Sequence, residues 1–162
     1  MKKVFQTNTS LHRGNCAQAV VASLFELPLE MVPDFIKWHK YKNLLSKGFT
    51  MNSMEFNFFK LMGTGYSMFE PVTISETLGL LNLDKGINGY WYATVPSMSF
   101  PDEDVYHAVV INDNMKVVHD PNPNQLALKA RKKDIVSIVM NGCGKYWDYT
   151  GQDENGLIIE AL

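Results

Sequence analysis

The stretch Gly14-Asn15-Cys16-Ala17-Gln18-Ala19-Val20-Val21-Ala22-Ser23-Leu24-Phe25-Glu26-Leu27 carries the clearest structural pattern in this chain of 162 residues. Mostly apolar side chains recur three, four, seven, eight and eleven positions after Cys16, which is the spacing of one helix face. This stripe consists of Ala19, Val20, Ser23, Leu24 and Leu27. Because Pro28 cannot continue a helix, the pattern predicts a helix over 16–27 with Cys16 at its start.

The second half of the chain has a different pattern. Four of its segments are rich in β-branched and aromatic residues, which favour strands, and they cover residues 90–95, 105–111, 116–119 and 134–140. Further helical patterns precede them, over residues 29–32, 35–45, 53–62 and 75–81. Because helices come first and strands second, we expect a single domain of the α+β class over residues 1–162.

The composition is typical of a folded protein, with 46% hydrophobic residues, 20% charged residues and a net charge of −2. This charge gives no attraction to nucleic acids or anionic membranes, so neither is expected as a partner. No apolar run is long enough to cross a bilayer, and no apolar secretion segment follows Lys3. With only Cys16 and Cys143 as cysteines, the chain is expected in the reducing cytoplasm without disulfides. These features leave the oligomeric state open.

Cys16 is a candidate nucleophile because of its place at the helix start. Unpaired N–H groups and the positive end of the helix dipole stabilise a thiolate there. A thiol enzyme also needs a base, and His107 lies far downstream in a predicted strand. A second interpretation is that Cys16 is a small core residue, as lone cysteines commonly are. A third is a metal site built from His12, Cys16 and one remote histidine.

An acid that could orient His107 lies in the following strand. Asn112-Asp113-Asn114-Met115 is a turn pattern between two apolar runs. If its middle residues form a two-residue loop, His107 lies opposite Asp120, with Cβ atoms roughly 5 Å apart on the same face. Asp120 would then orient the imidazole, while His107 would take the proton of Cys16.

A tetrahedral intermediate on Cys16 would need hydrogen-bond donors for its oxyanion. The backbone N–H of Cys16 is the first donor. We expect a side-chain amide upstream of the helix to be the second, and we assign this role to Gln6, with Asn8 and Asn15 as alternatives.

Two parts of the chain resemble small papain-like cysteine proteins of bacteria and phages, in the C39-like branch of the papain-like cysteine peptidase superfamily. The first part is Gly14-Asn15-Cys16, the helix after it and Pro28-Leu29-Glu30-Met31-Val32-Pro33-Asp34-Phe35. The second combines Tyr106-His107-Ala108-Val109-Val110 with Val117-Val118-His119-Asp120-Pro121-Asn122-Pro123. The resemblance covers residues 6–35 and 105–123.

The resemblance implies an N-terminal helix that carries the cysteine and packs on an antiparallel sheet that carries the histidine and its acid. It also implies a thiol hydrolase, with Cys16 as nucleophile, His107 as base and Asp120 as third member of the triad. The chain departs from the family at the oxyanion glutamine, which would fall near Ser10. Gln6 lies ten residues before Cys16 and can serve only if residues 10–13 bulge outward.

The resulting expectation is a cysteine-dependent hydrolase that cleaves a peptide, isopeptide or other amide bond in a peptide or protein substrate. It would use a thioester on Cys16 and no cofactor or metal. Two alternatives stay open. The same triad could pass the acyl group to an amine, as a transglutaminase does, or the fold could belong to a non-catalytic binding or inhibitory protein of the phage type. The cytoplasm would be that of the host if a phage encodes the chain.

Overall fold

A computed structural model describes residues 1–37, Phe58, Met62, 67–69 and 86–140. Outside these described residues lie Cys143, the predicted helix over 75–81 and most of those over 35–45 and 53–62. At the start of one of these helices, Asp34 Oδ1 accepts a hydrogen bond from the Lys37 backbone N–H at 3.0 Å, as an N-cap does.

The described strands form one antiparallel sheet in the order β1-β5-β2-β3-β4. They are β1 (Ser67–Phe69), β2 (Tyr90–Pro96), β3 (Tyr106–Asn112), β4 (Val117–His119) and β5 (Ser137–Met140). Four of them match the predicted strands, and the α+β class is confirmed. β1 was not predicted, because three residues are too few for a recognisable alternation.

The helix that carries Cys16, α1, spans Cys16–Leu24 and ends three residues earlier than predicted. Glu26 adopts a left-handed conformation with φ 57°, and the Leu27 N–H donates to the Ala22 carbonyl at 2.9 Å. This is the pattern of a Schellman C-cap, which glycine usually provides. The sequence has no glycine at this position, so the end of α1 could not be recognised from the sequence. A 3-10 helix follows over Leu29–Met31.

The sheet has a hydrophobic cluster on each face, because side chains of its central strands alternate between the two. On one face the buried residues of α1 pack with Tyr92, Ala108 and Val110. On the other face the cluster contains Trp91, Ala93, Val95, Val109, Ile111, Ala127 and Ile135. The packing of α1 against β2 and β3 therefore brings the helix start near the sheet.

The loop between β3 and β4 differs from the predicted one. The Met115 N–H donates to the Asn112 carbonyl at 2.9 Å, and the Asn112 N–H donates to the Lys116 carbonyl at 3.1 Å. Three residues therefore form the loop, not two. Met115 has φ 56°, the left-handed conformation that closes a three-residue hairpin loop.

The register of this hairpin also differs from the prediction. Ile111 pairs with Val117, whereas Val110 pairs with His119. Val118 is thus an extra residue, a β-bulge in β4. The predicted register, which set the candidate histidine and aspartate opposite each other as ladder partners, was wrong. Neither the bulge nor a left-handed methionine has a clear signal in the sequence.

Candidate functional site

Cys16 is the first residue of α1, and its side chain is partly buried. Asn15 occupies the N-cap position but makes no side-chain cap. Its φ of −102° and ψ of 38° lie outside the extended conformation that capping residues adopt. The N–H groups of the first turn are thus left without an acceptor from this residue. Such groups stabilise a thiolate or an oxyanion.

His107 lies near the start of β3, where it pairs with Val95 of β2. Its side chain is only 13% exposed, and its Nε2 lies 2.7 Å from Oδ1 of Asp120. Since Nε2 is held there, Nδ1 is the ring nitrogen left for Cys16. The Cys16 thiol lies close enough to this ring to raise its pKa.

Asp120 is 1% exposed and is held by the loop that follows β4. Its Oδ1 accepts a hydrogen bond from the Asn122 N–H at 2.8 Å, and its Oδ2 accepts one from the Ala127 N–H at 2.8 Å. Burial raises the pKa of Asp120, but the hydrogen bonds to His107, Asn122 and Ala127 outweigh burial and lower it. The group is therefore a carboxylate at neutral pH.

Burial lowers the pKa of His107, but hydrogen bonds to Asp120 and Cys16, and the negative charges of these groups, raise it to about 9. The ring is therefore an imidazolium at neutral pH, placed between a carboxylate and a thiol. A ring in this state can give a proton to a leaving group.

Gln6 is buried, and its backbone N–H donates to the carbonyl of Pro121, the residue after Asp120, at 2.9 Å, although it lies ten residues before Cys16. The Asn15 N–H donates to the Asn8 carbonyl at 3.1 Å, so residues 9–14 form an outward loop. Gln6 Nε2 donates to the same Asn8 carbonyl at 3.0 Å. A Cβ on Gly14 would lie 3.0 Å from the Ser10 carbonyl and 4.0 Å from Gln6 Nε2, so this close approach favours glycine. The bulge that Gln6 requires is thus present.

The two alternative amides are placed differently. Asn15 uses both hydrogens of its Nδ2, which donates to Thr7 Oγ1 at 3.2 Å and to Gln18 Oε1 at 2.8 Å. Asn8 has an exposed side chain whose Oδ1 accepts hydrogen bonds from Ser10. Gln6 retains one N–H of Nε2 beyond its bond to Asn8, so it fits the donor role better than either.

Two residues that support the site were not singled out from the sequence. Gln18 is a long amide on a helix whose other residues are small or apolar, and this contrast is the signal that could have identified it. Asn122 stands between two prolines and forms an Asx turn, in which its Oδ1 accepts a hydrogen bond from the Asn124 N–H at 3.0 Å. Its Nδ2 donates to Ser99 Oγ at 3.2 Å.

Within the described parts of the chain, no group of three or more histidine, cysteine, aspartate or glutamate side chains is arranged to hold a metal ion. No helix among the described residues is long and apolar enough to cross a membrane. Comparison of the chain with known protein families, with curated proteins and with solved structures finds no match. What the protein does must therefore be argued from the geometry of the site.

Proposed function

We propose that the protein is a cysteine-dependent hydrolase of amide bonds, with a papain-like arrangement of Cys16, His107 and Asp120. The observation that carries the proposal is the 2.7 Å hydrogen bond between His107 and Asp120, together with a Cys16 thiol close enough to the same ring to raise its pKa. A histidine used only for packing needs neither a buried carboxylate nor a thiol as partner. The three groups come from a helix, a strand and a loop that are remote in sequence.

The electrostatics of the three groups support an activated nucleophile. Asp120 stays ionised because backbone N–H groups hold both of its oxygens. It keeps His107 protonated at neutral pH. A neighbouring imidazolium is one of the groups that activate cysteine nucleophiles. The uncapped first turn of α1 adds to this effect.

The reaction follows from these positions. The Cys16 thiolate attacks the carbonyl carbon of an amide, and the carbonyl oxygen becomes an oxyanion. The Cys16 N–H and the second N–H of Gln6 Nε2 stabilise the oxyanion. His107 Nδ1–H gives its proton to the departing amine, which leaves a thioester on Cys16 and a neutral imidazole.

Water completes the cycle. His107 removes a proton from a water molecule, whose oxygen attacks the thioester carbonyl. The second tetrahedral intermediate collapses, the carboxylic acid product leaves, and the thiolate–imidazolium pair is restored. Asp120 remains ionised throughout and orients the ring. A nucleophilic thiol persists where the surroundings are reducing, which supports a cytoplasmic location.

The proposal is tested by the pH dependence of iodoacetamide alkylation, with the modified cysteine identified by mass spectrometry. We expect Cys16 to react at neutral pH at least about tenfold faster than a cysteine in an unstructured peptide, whose thiol has a pKa of about 8.5. His107→Asn should remove most of this advantage, because the variant has no imidazolium.

His12→Asn is the matched control, because it changes an exposed histidine outside the proposed triad. If Cys16 reacts no faster than the free thiol and His107→Asn has no effect, Cys16 is a structural residue. The non-catalytic binding protein would then be the better interpretation.

A further inference from the structure

The buried side chains of Asn15 and Gln18 form a continuous hydrogen-bond relay. Asn15 directly precedes the proposed nucleophile in the sequence, and Gln18 follows it by two residues. Asn15 Oδ1 accepts hydrogen bonds from the Thr7 N–H at 3.1 Å and the Asn8 N–H at 2.9 Å. Asn15 Nδ2 donates to Gln18 Oε1 at 2.8 Å. Every polar atom of the Asn15 amide therefore has a partner.

The relay continues to the segment that follows α1. Gln18 Nε2 donates to the Leu29 carbonyl at 3.0 Å and to the Val32 carbonyl at 2.7 Å. Both amides are buried, so an unpaired polar atom in either would cost about 1–3 kcal/mol. The network consequently has one arrangement, which joins the segment before the loop to the end of the 3-10 helix.

The position of Gln6 depends on this relay. The Asn8 carbonyl accepts hydrogen bonds from both the Asn15 N–H and Gln6 Nε2. Asn15 thus holds Asn8 through its backbone and its side chain, and Asn8 in turn holds the Gln6 amide. The bond to a carbonyl also determines which end of that amide is the nitrogen, because an oxygen there would repel the Asn8 oxygen.

An asparagine at the start of a helix normally caps it, which contributes about 1 kcal/mol of stability. Asn15 makes no such cap, and its side chain instead binds the preceding segment. This choice leaves the first turn of α1 without a side-chain cap, and the segment that Asn15 binds holds Gln6 Nε2 near Gly14. Asn15 therefore positions Gln6 instead of capping α1.

We propose that Asn15 is a positioning residue that acts through Gln6 to build the oxyanion site, with Gln18 as its buried support. The inference rests on the proposed function, since it assigns a role within that reaction. Asn15 itself touches no reacting atom. Its effect is on the stabilisation of the tetrahedral intermediate and not on the reactivity of the thiol.

Two reagents that attack the same thiol separate these effects. Iodoacetamide reacts by displacement at a saturated carbon and forms no oxyanion, so it reports only on the thiolate. p-Nitrophenyl acetate passes through a tetrahedral oxyanion, so it reports on the thiolate and on the oxyanion site. The ratio of the two rates at Cys16, with the Cys16→Ala rate subtracted, isolates the oxyanion contribution.

We expect Asn15→Ser to lower the p-nitrophenyl acetate rate by about tenfold or more, while the iodoacetamide rate stays within about threefold; loss of a whole oxyanion donor commonly costs 10²–10³-fold. Gln6→Ala should show the same selective loss. In the double variant the loss should equal that of Gln6→Ala alone, because Asn15 acts through that residue. Asn114→Ser, in the exposed hairpin loop, is the matched control and should change neither rate.

Asn15→Asp keeps the proposal testable if Asn15→Ser folds poorly. Its carboxylate still accepts the Thr7 and Asn8 N–H groups but cannot donate to Gln18 Oε1, so part of the relay is kept and the rate ratio should fall by less than about tenfold. Losses that multiply in the double variant, or equal losses with both reagents, would show that Asn15 is merely structural. Failure of Cys16 in the wild type to react with either reagent faster than a free thiol would instead refute the proposed function.

Discussion

His107 Nε2 and Asp120 Oδ1 lie 2.7 Å apart, although the pairing of β3 with β4 does not set these residues opposite each other. The bulge in β4 shifts the ladder, and β4 ends at His119. Asp120 reaches the ring from the loop after the strand, where the Asn122 and Ala127 N–H groups hold its carboxylate. The pairing thus depends on that loop more than on strand register.

Asp120→Asn should weaken the fold and the proposed ion pair together. An amide cannot accept hydrogen bonds at both ends, so its NH₂ group would face a backbone N–H or the ring of His107. We expect a loss of about 1–3 kcal/mol in the free energy of unfolding by urea, and a lower pKa for His107 in an NMR titration. Asp113→Asn in the exposed loop is the control. An unchanged His107 titration would contradict the assigned partner.

The stability of the protein should fall as the pH rises above neutrality. The pKa of His107 is raised from 6.5 to about 9, so its contribution is complete below about pH 6.5 and is lost as the pH rises through about 9. The shift corresponds to about 3 kcal/mol between these limits. The free energies of unfolding by urea of the wild type and of His107→Asn should approach each other by this amount between about pH 6.5 and about pH 9. A constant difference between them would show that the ring is not held as an imidazolium.

The α+β class and four of the strands could be predicted because periodicity and residue preference are local properties. β2 and β3 are rich in valine, tyrosine and alanine that alternate between two buried faces. The start of α1 at Cys16 could also be predicted, since the apolar stripe begins there. The end of α1 could not, because its C-cap uses Glu26 in a conformation that the sequence does not indicate.

The site was predicted by a partly wrong argument. His107 and Asp120 do meet, yet the two-residue loop that was used to pair them is absent. The left-handed Met115 and the bulge at Val118 change the register, and these depend on tertiary packing of buried side chains. The support of Gln6 through Asn8 was also beyond sequence reasoning, because it depends on how the outward loop closes.

Protonation of His119 should lower the stability of the protein as the pH falls, whereas the contribution of His107 to stability is lost as the pH rises. It is buried, and its Nε2 lies 2.8 Å from the Val4 carbonyl, so Nε2 carries the proton of a neutral ring. Burial lowers the pKa of His119 from 6.5, and its stabilisation is therefore lost as the pH falls below about 6.5. The pKa of Asp120 is lowered from 3.8, so the contribution of this carboxylate to stability is lost only at more acidic pH.

The measurement is urea unfolding of the wild type and of His119→Gln between about pH 7 and about pH 5. Glutamine can still donate to the Val4 carbonyl but does not titrate, so the wild type should lose stability relative to this variant on acidification. Hydrogen exchange of the Val4 amide, which donates to Ser23 Oγ at 2.9 Å, should accelerate in parallel. His12→Gln is the matched control. Parallel pH profiles for the wild type and His119→Gln would contradict the neutral buried ring.

Cys16→Ser and Cys16→Ala should remove the reaction with p-nitrophenyl acetate at this site while the fold is kept. Because the side chain is only partly buried, we expect changes below about 1 kcal/mol in the free energy of unfolding. Both variants should also lower the pKa of His107 from about 9, since the thiol's hydrogen bond and charge contribute to it. NMR titration of the His107 ring measures this shift without any substrate. If Cys16→Ser instead costs about 1–3 kcal/mol through a buried, unpaired hydroxyl and the His107 pKa does not move, Cys16 is a core residue.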